Sequence, residues 1–322
     1  MTIVRQPTRA GVRDAAAKIA AILPQTPLLT AEIRGVPVSF KAECLQPVGA
    51  FKIRGAWHRL TALDPATRDR GVVAFSSGNH AQGVAWAAKR LGIPAVIVMP
   101  ADAPRVKRDA TLAMGAEVVT YDRMTESREK IAAHLAHARG AALVPSFDDP
   151  WIIEGQGSAG IEAMTQMVEA GLPDPVNVIV PCGGGGLASG LALALPDAEI
   201  TVVEPEGWDD MRRSLDAGWI EPVGDNPPPT ACDALQTREV SPLTFDVLSR
   251  RGATGIAVSE AEIRTAQRWA AAKLRLVVEP GGAVALAAVL SGKVAPRPGL
   301  LVILSGGNVD PDAYAAVLAG EA

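Results

Sequence analysis

The chain has 322 residues, 48% of them hydrophobic and 20% charged, which is enough apolar material for one large or two medium globular domains. Its 31 basic and 35 acidic side chains leave a net charge of only -4, and no Lys/Arg-rich run marks a nucleic-acid or membrane footprint. Cys44, Cys182 and Cys232 are too few and too scattered for a disulfide framework or a zinc ribbon; with no signal-like start and no apolar run near the roughly 20 residues of a membrane span, the expectation is a soluble cytoplasmic protein.

Short β-branched runs alternate with Ala- and Leu-rich helical segments, so the fold class reads as α/β, with open, twisted, mostly parallel sheets flanked by helices. Two sheets are expected: a small domain over 67–146, inserted into a large one built from 1–66 and 147–322. In chain order, the first chemistry-bearing segment is GAFKIRGA, where Phe51 and Lys52 stand beside glycine and apolar residues at a predicted helix start. A partly desolvated lysine has a lowered pKa and attacks carbonyls. By itself, however, Lys52 reads better as a solvated surface lysine. Next, the strand VVAF runs into Ser76, Ser77, Gly78, Asn79 and His80, followed by an amphipathic helix ending near Gly92. Hydroxyls and free amides at a helix start suit a carboxylate, and the same residues also read as ordinary N-caps.

The run Ala95 to Met99, like Leu300 to Leu304 near the other end, is apolar at nearly every position, as parallel strands covered on both faces are. His134 and His137 fall three apart on a predicted helix but lack a Cys or acidic partner, so they read as solvated. NVIVPC then leads through Gly183, Gly184, Gly185 and Gly186 into a helix beginning near Leu187. With no side chains in the way, backbone N–H groups converge on a phosphate, and the helix dipole adds to the attraction. Gly183, Gly185 and Ala188 also satisfy the dinucleotide pattern G-x-G-x-x-A, with Glu204 placed for a ribose; a nucleotide-binding oxidoreductase is therefore a remote alternative. Unaided, Glu204 to Asp210 is a solvated acidic turn, Asn226 to Thr230 a Pro-rich surface loop and Ser305 a turn serine.

Taken together, GAFKIRGA, SSGNHAQG, PCGGGGLASG, VVEPEGWDD, VVEPGGA and the late SGGN resemble, in order and over nearly the whole chain, the pyridoxal-phosphate enzymes of the tryptophan-synthase β-subunit fold (fold type II). Within them the chain is similar to the serine/threonine dehydratases and serine racemases. The resemblance implies that Lys52 forms the Schiff base with pyridoxal 5'-phosphate, that Phe51 packs against its ring and that Asn79 faces its hydroxyl. It implies the phosphate on Gly183 to Gly186 and the Leu187 amide, the pyridine nitrogen on Ser305, and the substrate carboxylate among Ser76, Ser77, Gly78, Asn79 and His80. It further implies a divalent cation (Mg2+, Mn2+ or Ca2+) on Glu204, the Trp208 carbonyl and Asp210, since all-oxygen ligation suits such ions, and a homodimer.

The expected activity is dehydration and deamination of a small β-hydroxy amino acid such as L-serine or L-threonine to a 2-oxo acid and ammonia, with Lys52 moving the Cα proton. Racemisation, with Ser77 as the acid on the opposite face, and β-hydroxyaspartate dehydration are the alternatives. Two departures stand out. Thr230-Ala-Cys-Asp-Ala234 replaces the family's Thr-x-Ala-Asp-Gly, placing a side chain beside the cofactor, and the chain ends soon after SGGN, so feedback through a regulatory domain is not expected.

Overall fold

The computed structural model describes residues 5–76, 78–103, 105–122 and 124–321, with backbone only over 105–107. Helix α1 (Arg9–Ala20) is capped by Thr8, whose hydroxyl accepts from the Gly11 amide, and is followed by the strands β1 (Leu28–Ile33) and β2 (Val36–Lys41). After these come α2 (Lys52–Thr61), α3 (Pro65–Arg70), β3 (Val72–Phe75), α4 (Asn79–Leu91), β4 (Ala95–Pro100), α5 (Arg105–Ala113), β5 (Glu117–Tyr121), α6 (Arg128–Arg139) and β6 (Ala142–Leu143). The remainder is α7 (Pro150–Glu169), β7 (Asn177–Pro181), α8 (Gly186–Ala194), β8 (Glu199–Pro205), α9 (Asp210–Ala217), α10 (Pro242–Arg250), β9 (Thr254–Val258), α11 (Glu260–Trp269), α12 (Pro280–Leu290), β10 (Leu300–Ile303) and α13 (Pro311–Ala319).

The strands form two sheets, one of six in the order β1-β2-β10-β7-β8-β9 and one of four in the order β5-β4-β3-β6. Every pairing is parallel except β1 with β2. That antiparallel hairpin has no counterpart in the sequence reading. Its turn is Arg34-Gly35, both at positive φ (52° and 77°), and arginine is an unusual occupant of the left-handed region.

The apolar strands behave as their composition demands. Along β10, Leu300 and Val302 pack with α12 on one face while Leu301 and Ile303 pack with Leu187, Leu191 and α7 on the other. Along β3 and β4, Val72, Ala74 and Ile97 pack with α4, whereas Val73, Val96 and Val98 face Ala132 and Ala136 of α6. With both faces covered, a strand has no polar side to alternate with. Helix α2 links the two layers: Ala56 and Leu60 belong to the cluster of the four-stranded sheet, and Trp57 meets Trp86 of α4 edge-on at 5.8 Å between ring centroids.

Candidate active site

Each sheet reverses its strand order once. In the larger, β7, β8 and β9 are laid outward in sequence and β10 returns to the other side of β7; in the smaller, β3, β4 and β5 go outward and β6 returns beside β3. Loops leaving the carboxyl ends of strands at such a reversal splay apart and leave a crevice. Gly183 to Gly186 follow β7 and Ser305 follows β10, while Ser76 to His80 follow β3 and Ser146 and Phe147 follow β6. All four loops line one cavity of about 940 Å³.

Gly185, at φ 85°, is the N-cap of α8. A Cβ there would lie 2.7 Å from Met211, and one on Gly184 would lie 2.3 Å from the ring of Phe147, so the loop must be glycine to pass between its neighbours. The opening amides of a helix have no intrahelical partners and carry its positive dipole end. A buried start of this kind lining a cavity is a cradle for an anion.

Lys52 is the first residue of α2, and its Nζ donates to the Ser146 carbonyl at 2.7 Å, 5.2 Å from the Phe51 ring centroid. Burial pushes its pKa down to about 8, so an appreciable fraction of the amine is unprotonated near neutrality. The main chain just before it is fixed to the larger sheet, because Phe51 N donates to the carbonyl of buried Ser305 at 3.1 Å.

Asn79 does not cap α4, whose N-cap is Gly78 without a side-chain bond. Its Nδ2 donates to Glu279 at 2.7 Å and its Oδ1 accepts from Asn308 Nδ2 at 2.8 Å. Ser76 Oγ accepts from the Gly78 amide at 3.1 Å and so shapes the loop from within. His80 Nε2 lies 2.9 Å from the Val144 carbonyl, which can only accept, so Nε2 carries the proton and Nδ1 is a buried lone pair without a partner. Burial, and then the charge of Lys52, hold its pKa down at about 3. The imidazole is therefore neutral, and Nδ1 is not available to donate to a carboxylate; a contribution of His80 to anion binding rests on its backbone amide. Ser77 lies outside the described residues.

Behind the glycine loop, Glu204 is fully buried and accepts from the amides of Met211 at 3.1 Å and Arg212 at 2.8 Å, while both carboxylate oxygens of buried Asp210 have no hydrogen-bond partner. Burial, together with the like charge of Asp210, pushes Glu204 well above the usual carboxylate range, and burial raises Asp210 to about 7. Such a pair calls for a proton or a cation between its members. Trp208 is buried beside it, its indole donating to the Pro228 carbonyl at 2.8 Å. Among the described residues, no three His, Cys, Asp or Glu side chains gather as a metal set. His134 and His137 are exposed on α6. A ribose-binding role for Glu204 fails on its burial and on the amides that already occupy its oxygens, which removes the oxidoreductase alternative.

Four residues of the cavity wall carried no role in the sequence reading. Glu279 and Asn308 sit inside VVEPGGA and SGGN, so the motifs were visible without their partners. Ser146 and Phe147 follow β6, which lies in the apolar run AALVP that reads as a strand, but the run says nothing of what the loop after it faces.

A family model described as pyridoxal-phosphate dependent enzyme matches residues 19–306. The chain is 40% identical over 326 residues to an L-threo-3-hydroxyaspartate ammonia-lyase of Saccharomyces cerevisiae, covering 98% of this chain and 97% of that one. Among solved structures, a threonine deaminase of T.th. superposes with a TM-score of 0.87 at 42% identity, covering 94% of this chain and 99% of that one. A serine racemase from maize gives 0.89 at 35% identity, covering 98% of each. The chain belongs to the pyridoxal-phosphate dependent enzyme family.

Proposed function

We propose that this member of the pyridoxal-phosphate family is an ammonia-lyase that removes water and then ammonia from a small β-hydroxy amino acid, with L-serine and L-threonine as model substrates. The observation that carries this reading is an enclosed lysine, lowered to about 8, that shares one cavity with the starts of α4 and α8, whose opening amides suit anions. The residues present fit the cofactor. The helix start at Gly183 to Leu187 would hold the phosphate, Lys52 the aldehyde carbon, Asn79 the ring oxygen and Ser305 the pyridine nitrogen, with Phe51 against the ring. When bound, the cofactor supplies an electron sink for charge developing at Cα.

The chain's own groups do the rest. The opening amides of α4, from Asn79 and His80, hold the substrate carboxylate together with the Ser76 hydroxyl, in a loop whose Ser76 and Gly78 amides are given to the Val98 carbonyl and to Ser76 Oγ. Lys52, freed as a neutral amine, takes the Cα proton. A hydroxyl rather than a carboxylate at Ser305 leaves the ring a weaker sink, which favours prompt departure of the β-hydroxyl. Racemisation is the second reading, favoured by the likeness to the maize serine racemase. It needs a proton donor on the face opposite Lys52, a part that resemblance gives to Ser77. Dehydration of 3-hydroxyaspartate is the third, favoured by the likeness to the yeast ammonia-lyase. We further assign Glu204, Asp210 and the Trp208 carbonyl to a divalent cation (Mg2+, Mn2+ or Ca2+) of structural role, and place the protein in the cytoplasm as a homodimer.

Borohydride reduction of the yellow holoenzyme followed by peptide mapping is expected to fix the cofactor to Lys52; a label on another lysine overturns the site. Ammonia and enantiomer analysis with serine, threonine and both 3-hydroxyaspartate diastereomers then ranks the three activities.

A further inference from the structure

We propose that Glu279 is a positioning residue that decides which way round the Asn79 amide faces the cofactor's ring oxygen. The proposal rests on the assignment of Asn79 to that oxygen. An amide can sit in either of two orientations of nearly equal shape, and its neighbours choose between them. Here the choice is made twice. The Glu279 carboxylate, 7% exposed at the N-cap of α12, accepts from Nδ2 of Asn79 at 2.7 Å. Asn308 donates from one nitrogen to the Val48 carbonyl and to Asn79 Oδ1, each at 2.8 Å, so the Asn79 oxygen is held away from Glu279. Reversing the amide would set oxygen against carboxylate and nitrogen against nitrogen.

One N–H of Asn79 therefore remains for the cavity, and it is a donor. A donor at that point binds the deprotonated ring oxygen, whereas an amide oxygen would bind only the protonated hydroxyl. Glu279, 200 residues away in the chain, thereby sets the ionisation state of a ring that it need not touch. The backbone keeps the carboxylate in place: Glu279 N donates to the Gly306 carbonyl at 3.0 Å, and a Cβ on Gly306 would come within 1.9 Å of Glu279 Oε1. The two glycines after Ser305 thus do more than turn the chain. The first leaves room for the carboxylate, and the second is followed by Asn308.

The test is reconstitution of apoprotein with pyridoxal 5'-phosphate, reading the dissociation constant and the pH dependence of the ratio of long- to short-wavelength cofactor bands. Glu279→Gln keeps the shape but gives Asn79 a partner that can donate as well as accept, so both amide orientations become allowed. We expect Glu279→Gln and Asn79→Ala each to weaken the cofactor by roughly 10-fold to 100-fold, the cost of a charge-assisted hydrogen bond. Both variants should raise the share of the short-wavelength band at a given pH, and the double variant should fall little further than either single one. If Asn79→Ala moves both readouts and Glu279→Gln neither, the proposal is overturned and the Asn79 assignment stands. Wild-type values in Asn79→Ala overturn both. Should Glu279→Gln fail to fold, Gly306→Ala displaces the same carboxylate and is expected to shift the band ratio in the same direction; a wild-type profile there overturns the proposal.

Discussion

The two crevices of the cavity are built by one topological rule and furnished in opposite ways. At the reversal of the six-stranded sheet, the loop after β7 is four glycines that offer the cavity backbone alone, and the buried Glu204 and Asp210 lie behind it. At the reversal of the four-stranded sheet, the loop after β3 keeps its side chains, and each described polar one is already engaged: Ser76 by Gly78, Asn79 by Glu279 and Asn308, His80 by Val144. An anion of fixed shape needs only amides and a dipole. A substrate whose bonds are to change needs groups held in one protonation state and one orientation.

The sharpest way to break this contrast is to give the glycine loop a side chain. Gly185→Ala combines a left-handed φ of 85° with a Cβ 2.7 Å from Met211 and 3.0 Å from Thr244 Cβ. Strain of about 1–2 kcal/mol and overpacking of about 1–3 kcal/mol should together cost roughly 2–5 kcal/mol, read as a lowered melting temperature and loss of bound cofactor. Unchanged melting and a full cofactor complement would mean that the loop is flexible rather than shaped by its neighbours. A smaller effect is expected behind that loop. If a divalent cation holds Glu204 and Asp210 together, a strong chelator should lower stability by about 2–3 kcal/mol relative to a site saturated a hundredfold above its Kd, with Mg2+, Mn2+ or Ca2+ restoring it. A melting curve indifferent to chelator would assign the pair to a shared proton.

The smallest effect belongs to the other crevice. His80 resists protonation down to about pH 3, whereas the unfolded histidine titrates near 6.5. Between those values the unfolded chain binds a proton that the folded chain refuses. The contribution of neutral His80 is therefore complete above pH 6.5 and is lost on acidification, by up to about 1.4 kcal/mol per pH unit. Denaturation from pH 7 to 5 should show a shallower slope in His80→Gln than in the parent, and parallel slopes would show that the imidazole is not the group being protonated.

The loops after β3 and β7 were legible in the sequence because glycine runs and strand-to-helix junctions are local signals, and Lys52 only through the company of its motifs. What stayed hidden has physical reasons. The hairpin of β1 and β2 turns on Arg34-Gly35 instead of an Asn-Gly pair, and its apolar positions serve a pairing with β10 that no local window contains. The role of Glu279 depends on a residue 200 positions away. The motif marks His80 for the carboxylate loop, but the lone pair and proton of its ring are fixed by a carbonyl near β6 that no local pattern contains. The motif gave the residue but not its tautomer.

The order of the strands also bears on how the molecule is made. The four-stranded sheet is complete once residue 143 has been synthesised, but β2 must wait for β10, its Ser39 pairing with Leu301. At ribosomal rates of about 5–20 residues per second, that wait of about 260 residues lasts roughly 13–50 s. Throughout it the hairpin has an open edge, the kind of surface that recruits other chains. Glu279, Ser305 and Asn308 emerge in the same final stretch, so the wall of the cavity that they form is completed only at the end of synthesis. Yield in the cell should therefore depend on what shields that edge during translation.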